Sequence, residues 1–302
     1  MDIVVFGAGS LGSLVGGILA RDSSNEVTLV ARDAHADAVA ESGLELVGKL
    51  EATVDPAATT DGRGLEADLA IVTVKSFDTA AAAEVLETGS YGSVLSLQNG
   101  MGNEEALAAR LECPILAGTA SYGAILRDPG VVECTGIGEI VLGARTGGPS
   151  AHADRIGDLF ASAGLETTVA ADMPRRLWEK LAVNAGINAV TALTRTENGA
   201  VLEADTNDLA RTATRETARV ARAVDVRLSN RTALDAMEDV AAATAGNTSS
   251  MHQDVLAARR TEIDAINGYV VDRAAERELE VPTNRLLASL VRTWERGRGL
   301  RE

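Results

Sequence analysis

The chain has 302 residues, enough for two domains at roughly 100–200 residues each. Its 44 Asp and Glu against 28 Lys and Arg give a formal net charge of −16, which repels nucleic-acid phosphates and anionic membrane surfaces and argues against either as a partner. Two cysteines, Cys113 and Cys134, and three scattered histidines, His35, His152 and His252, supply neither a disulfide framework nor zinc-ligand spacing. No apolar run approaches the ~18 residues of a membrane span.

Asp2 leads into an apolar run, Ile3-Val4-Val5-Phe6, that predicts a buried strand. Gly7-Ala8-Gly9-Ser10-Leu11-Gly12 follows, and Ser13–Ala20 predicts a helix. A G-x-G-x-x-G between strand and helix is the context the dinucleotide fingerprint requires. Gly7 permits the tight turn, Gly9 lets pyrophosphate approach the backbone, and Gly12 lets the helix close on the strand. A motif this near the first residue leaves no room for a removable leader, so a cytoplasmic protein is expected. The second strand, Val27–Ala31, ends at Arg32-Asp33. Arg32 stands 20 residues past Gly12, where an arginine suits a ribose 2′-phosphate and hence NADPH over NADH. Asp33 beside it is the group that could take the ribose hydroxyls instead.

Leu69–Val74 predicts a strand covered on both faces and ends at Lys75; Asp78–Thr88 predicts a helix. Ser93–Leu97 is the next strand and runs into Gln98-Asn99-Gly100-Met101-Gly102, then a helical pattern to Arg110. Alternating strands and helices imply a parallel sheet, with ligands beyond the carboxyl ends of its strands, where Lys75 and Asn99 fall. Asn-Gly is also a common hairpin turn, and that alternative stays open. Ile115–Thr119, Val131–Cys134 and Glu139–Leu142 predict short strands extending the sheet in antiparallel fashion. Ala151–Ala163 predicts a helix, and Leu165–Ala170 a last strand. From about residue 170 onward the periodicity is helical. The expected architecture is therefore α/β: a Rossmann-type doubly wound sheet with an antiparallel extension over residues 1–170, followed by an all-helical domain over 171–302.

The long helix after Pro174 carries Lys180, Asn184 and Asn188 at i, i+4 and i+8, one polar ridge among Leu177, Leu181, Val183, Ile187 and Val190. Such a ridge lines either a ligand site or a solvated face. Further on, Ser249 or Ser250 is placed to cap the helix that follows, and Glu262 sits beside Ile263 and Ile266. Only three of the 28 basic residues are lysine: Lys49, Lys75 and Lys180. A surviving lysine is a candidate for chemistry arginine cannot perform. Carboxylate excess with few lysines also suggests a halophilic protein, whose thermal stability is expected to rise with KCl into the molar range as repulsion is screened. Melting curves that stay flat or fall with added salt would remove that reading.

The segments GAGSLG at 7–12, VTVKSF at 72–77, QNGMG at 98–102, LWEKLAVNAGINAVTAL at 177–193 and NTSSMHQDVLAARRTEIDAING at 247–268 together resemble the ketopantoate reductase (2-dehydropantoate 2-reductase) family over nearly the whole chain. The last two segments are far more specific than the glycine fingerprint. The resemblance implies reduction of 2-dehydropantoate to (R)-pantoate with NADPH, in pantothenate and coenzyme A biosynthesis. It places the catalytic lysine on Lys180, its acidic partner on Glu262, and the substrate contacts on Asn99, Lys180, Asn184, Asn188, Asn198 and Ser250. It places cofactor contacts on Gly7, Ala8, Gly9, Ser10, Leu11, Gly12, Arg32, Lys75, Asn99, Ala124 and Glu262. Ala189 stands where the family often has a proline. The resemblance admits a homodimer, requires no metal, and leaves two alternatives: a related dehydrogenase of another small 2-keto or hydroxy acid, and a non-catalytic NADP-binding sensor.

Overall fold

The computed structural model describes residues 1–301. Two compact units emerge: Met1–Gln98 with Asn103–Met173, and Asn99–Gly102 with the chain from Pro174 on. Among the described residues, no helix is long and apolar enough to cross a membrane.

The first unit runs β1 (Asp2–Phe6), α1 (Ser10–Leu19), β2 (Glu26–Val30), α2 (Asp33–Ser42), β3 (Leu44–Gly48), β4 (Ala52–Val54), β5 (Ala57–Thr59), β6 (Glu66–Val72), α3 (Thr79–Leu86), β7 (Ser90–Ser96), α4 (Asn103–Ala108), β8 (Ile115–Ala120), β9 (Gly123–Asp128), β10 (Val131–Gly136), β11 (Ile140–Ala144), α5 (Ala151–Ser162) and β12 (Thr167–Val169). Eight strands form one sheet in the order β12-β11-β8-β7-β6-β1-β2-β5. From β8 to β5 neighbouring strands are parallel; β11 is antiparallel to β8, and β12 parallel to β11. Side chains alternate across β1, so Ile3 and Val5 join the core under α1 and α5, while Val4 and Phe6 join the core under α3. The expected α/β sheet is thus present.

The antiparallel extension differs from expectation in two strands. Ile115–Ala120 runs parallel to β7 and continues the parallel sheet, so only Ile140–Ala144 turns antiparallel there. Val131–Cys134 leaves the large sheet and lies in a second one, ordered β4-β3-β10-β9, parallel to β3 and antiparallel to β9. The cause is α1. Every residue from Gly12 to Leu19 is buried, and a helix apolar all round needs cover on more than one side. At Gly16 an added Cβ would lie 2.6 Å from Leu29 of the large sheet; at Gly17 it would lie 2.9 Å from Leu44 and 2.8 Å from Leu46 of the small one. Two glycines let one helix press against two sheets.

The second unit holds the turn Asn99–Gly102 and α6 (Met173–Thr194), α7 (Ala204–Ala223), α8 (Asn230–Ala243), α9 (Ser250–Leu256), α10 (Tyr269–Ala275) and α11 (Pro282–Gly297), with no strand among the described residues. The predicted helix through Val190 continues to Thr194, and Ala189 sits fully buried within it. At Gly186 an added Cβ would meet Thr214 Oγ1 of α7 at 2.5 Å, so α6 and α7 cross in close contact.

Candidate active site

In the first unit β1 and β6 are neighbours. The chain leaves β1 for β2 on one side and β6 for β7 on the other, which makes the carboxyl ends of β1 and β6 a topological switch point. The glycine loop occupies it. Gly7 adopts φ +98°, and a Cβ there would lie 2.6 Å from the Val74 side chain. Thr73 Oγ1 donates to Gly7 O at 2.8 Å, and the Gly7 and Ala8 N–H groups donate to Val30 O. At Gly12 a Cβ would lie 2.5 Å from Thr73 Oγ1 and 2.7 Å from Gly7 O, so this glycine serves helix-to-strand closure. Gly9 differs. It is exposed, and a Cβ would meet only Gly7 O at 3.9 Å. Protein packing leaves room for a side chain at Gly9, so the open cradle fits close approach by an external group, as a pyrophosphate would need.

A paired prediction follows from that contrast. Gly9→Ala should fold normally yet raise the Kd for the dinucleotide about 10-fold or more. Gly12→Ala should cost about 1–3 kcal/mol of stability through overpacking. Fluorescence titration with the dinucleotide and thermal unfolding check the two arms; equal stability losses would remove the distinction.

Around this loop, Ser10 Oγ accepts the Leu126 N–H of β9 at 3.0 Å, Leu11 is half-buried, and no side chain caps α1. Arg32 is exposed and stands between β2 and α2 as the capping position of α2, with Asp33 opening that helix. Lys75 follows β6 at the start of a 3₁₀ turn, Ser76–Asp78, and Ala124 is half-buried on β9. His35 adds an anchor that the residue pattern did not reveal. Its Nδ1 accepts the Gly130 N–H at 2.9 Å, and its Nε2 lies 2.8 Å from Ser13 Oγ, which is itself 3.2 Å from Ala8 O. With Nδ1 accepting, Nε2 carries the proton. Burial pushes this imidazole below the usual histidine range, which keeps it neutral.

In the second unit Lys180, Asn184 and Asn188 lie along α6, the first two half-buried and Asn188 buried. Asn188 Nδ2 reaches Ser250 Oγ at 3.5 Å, and on the next turn Thr191 Oγ1 is 2.8 Å from Ser249 Oγ. Ser249 caps α9, accepting the His252 N–H at 3.2 Å, and Ser250 is left exposed beside Asn188. The division of labour between the two serines is therefore settled by geometry: one holds the helix end and its neighbour faces out.

Glu262 is buried and lies two residues before a π-helical turn, Asp264–Gly268. The Met101 N–H donates to Ala265 O at 3.0 Å. Gly100, at φ +80°, comes so close that a Cβ would lie 2.5 Å from Ala265 Cβ. The turn carrying Asn99 is thereby seated on the segment carrying Glu262. It leads from β7 to α4, so Asn99-Gly100 is a strand-to-helix turn and no hairpin. Asn198 lies outside α6, four residues past its end. It opens a 3₁₀ turn, its Nδ2 donates to Thr244 Oγ1 at 2.9 Å and its N–H to Asn247 O at 2.9 Å, so it fastens the loop that leads to Ser249 and Ser250.

Family models for the ketopantoate reductase PanE/ApbA fold match residues 3–147 and, for its C-terminal part, 172–295. The chain belongs to the ketopantoate reductase PanE/ApbA family. It is 41% identical to a 2-dehydropantoate 2-reductase of Halobacterium salinarum, over 98% of this chain and 99% of that protein. The crystal structure of a PanE/ApbA-family ketopantoate reductase from Ralstonia eutropha superposes with a TM-score of 0.91 at 33% identity, covering 99% of this chain and all of that one. A D-mandelate dehydrogenase in complex with NADH superposes with a TM-score of 0.87 at 25% identity, over 98% and 99% of the two chains. The protein is an oxidoreductase of a nicotinamide-dependent family.

Within this reductase the residue pattern overlooked one buried polar group. Gln98 Nε2 donates to Val74 O and to Thr79 Oγ1, and Thr79 Oγ1 donates to Asn103 Oδ1 at 2.8 Å. Ser96 Oγ donates to Gln98 Oε1 at 3.3 Å. Glu104 is buried beside Ser96, and burial pushes its carboxyl up to about 7, the neighbouring Glu105 charge adding to the effect against a pull from hydrogen bonding. In sequence these residues flank Asn99 on both sides. The sequence signal for this group is the polar pair Gln98-Asn99 just past the end of β7.

Proposed function

We propose that this chain reduces 2-dehydropantoate to (R)-pantoate with NADPH. The observation that carries the reading is the α6 ridge of Lys180, Asn184 and Asn188, with Ser250 brought to Asn188 by the α9 cap. Full-length similarity to 2-dehydropantoate 2-reductases supports it.

A bound nicotinamide supplies the hydride that the C2 ketone receives. As that carbonyl carbon becomes tetrahedral, negative charge grows on its oxygen. The Lys180 ammonium stabilises that charge and gives the oxygen a proton. Glu262 keeps Lys180 charged and oriented or contacts the cofactor. The Ser250 hydroxyl, exposed at the start of α9, donates to the substrate carboxylate. Asn184 and Asn188 fix the carboxylate and the terminal hydroxyl, and Asn99 lies on the turn seated against the Glu262 segment. Asn198 contributes to the substrate side through the loop it holds. The glycine loop takes the pyrophosphate, Arg32 the 2′-phosphate, and Lys75 and Ala124 complete the cofactor side. The chain works in the cytoplasm, under the salt its charge suggests, as a monomer or homodimer.

The D-mandelate dehydrogenase neighbour, solved with NADH, supports a second reading, a reductase of another 2-keto acid using NADH. One assay separates the two: oxidation of NADPH and of NADH with ketopantoate, beside other 2-keto acids including the keto form of mandelate. The first reading requires the highest kcat/KM for ketopantoate with NADPH. In the same assay Arg32→Ala should raise the KM for NADPH about 10-fold and leave that for NADH nearly unchanged, the loss expected for a charged phosphate contact. Equal effects on both cofactors would transfer the role to Asp33 or another group.

A further inference from the structure

Beyond Glu262 itself, the segment that carries it is gripped from both sides by one ionic cluster. Glu295 lies in the last turn of α11, where a negative charge opposes the helix dipole, and it is fully buried. Both features are costly, so the carboxylate needs strong partners. It has three hydrogen bonds. Its Oε1 accepts the Thr261 N–H at 2.8 Å and the Thr261 hydroxyl at 2.7 Å, and its Oε2 accepts from Arg301 Nε at 2.7 Å.

Arg301 reaches that place because the chain reverses after α11. Gly299 adopts φ +68°, and the Leu300 N–H returns to Glu295 O at 3.0 Å. The other edge of the Arg301 guanidinium donates to the Asp264 carboxylate. Arg292 Nε also donates to Asp264 at 2.8 Å, and Arg260 stands 3.7 Å from it. Burial pushes the Asp264 carboxyl up, but the hydrogen bonds from Arg301 and Arg292 outweigh it and leave it below its usual range, ionised. Thr261 and Asp264 bracket Glu262 in sequence. The π-turn that begins at Asp264 departs from regular helix at this point, and such turns recur at functional sites.

We infer that Glu295, Arg301 and Asp264 are positioning residues that hold the Glu262 carboxylate in its working orientation. The inference rests on Glu262 acting in the site, as read above. Thr261 is pinned by Glu295, Asp264 by Arg292 and Arg301, and Arg301 ties the two clamps together. The backbone on each side of Glu262 has no freedom to swing, so a buried carboxylate keeps one direction without a bound ligand to set it. Displacement of a reacting group by about 1 Å is enough to cost up to 10²-fold in rate.

The test is a double-mutant cycle between Arg301→Ala and Glu262→Gln, read as kcat and KM in steady state. Arg301→Ala alone should lower kcat about 10-fold with little change in the KM for NADPH. In the Glu262→Gln background it should have no further effect, because a clamp cannot misplace a carboxylate that is gone. Arg301→Lys should recover at least part of the rate. Hydrogen exchange on the protein alone should speed up at the Thr261–Asp264 amides in Arg301→Ala. Losses that multiply in the double variant would show general loosening and overturn the inference. Full activity in Glu262→Gln alone would overturn the reading of Glu262, and the clamp with it, without any Arg301 variant being needed. Should Arg301→Ala fail to fold, Thr261→Val removes one hydrogen bond to Glu295 and runs the same cycle.

Discussion

Lys180→Ala should lower kcat by about 10²–10⁴-fold, the range expected when a positioned proton donor is lost. The side chain is half-buried on α6, one turn before Asn184 and two before Asn188, with Asn188 in reach of Ser250. A truncated residue at 180 leaves those polar groups in place, so substrate should still bind while the developing alkoxide lacks both its counter-charge and its proton. The Kd for NADPH should change little, because the phosphates are assigned to the glycine loop and Arg32. Lys180→Arg is the sharper variant. Arginine keeps the positive charge, but it does not release a proton near neutral pH, and its planar head needs a wider, flatter site than an ammonium. Turnover in Lys180→Arg should therefore fall nearly as far as in Lys180→Ala. Near-full turnover with arginine would mean that charge alone suffices. Full activity of Lys180→Ala would remove the whole assignment on α6.

Glu216→Ala should destabilise the helical unit by about 3–5 kcal/mol, since each orphaned buried donor costs about 1–3 kcal/mol. Glu216 projects from α7 and is nearly inaccessible. Its carboxylate accepts the Thr283 N–H at 3.1 Å and the Asn284 N–H at 2.9 Å, two backbone donors in the first turn of α11 that have no partner within their own helix. It also accepts Asn284 Nδ2 at 2.9 Å. From Asn284 the chain of bonds continues: Asn284 Oδ1 accepts from Asn267 Nδ2 at 3.0 Å, and Asn267 Nδ2 donates to Ala185 O of α6 at 3.1 Å. A carboxylate at a helix N-terminus is also on the favourable end of the dipole. One residue of α7 thus caps α11 and steadies the turn after Glu262 and the helix of Lys180. Glu216→Gln keeps an acceptor oxygen and should lose about half as much. Urea unfolding followed by circular dichroism checks both; a loss below about 1 kcal/mol for Glu216→Ala would mean that water replaces the carboxylate.

Much of this molecule could be read without coordinates, for reasons that lie in short-range chemistry. The glycine loop was legible because only a residue without Cβ tolerates φ +98° at position 7 or the 2.5 Å approach to Thr73 at position 12. The parallel strands showed as unbroken apolar runs, since both faces of the large sheet are covered. The ridge of Lys180, Asn184 and Asn188 showed because helical spacing is a local property.

Tertiary structure decided what depends on residues far apart in the chain. Val131–Cys134 has the pattern of a strand but no local mark of which sheet it joins; burial of α1 on its second side drew it to β3. Ser249 and Ser250 are equal as capping residues by composition. The contact from Thr191 selects Ser249 and turns Ser250 outward. The resemblance implies a substrate contact for Asn198, and only its bond to Thr244 shows that it holds a loop. The grip of Glu295 and Arg301 on the Glu262 segment spans more than 30 residues of chain, as Thr261 and Glu295 lie 34 apart. Helical period carries no record of such a pairing. Charged residues near a chain end look like solvated surface until the fold returns them to the buried edge of a turn.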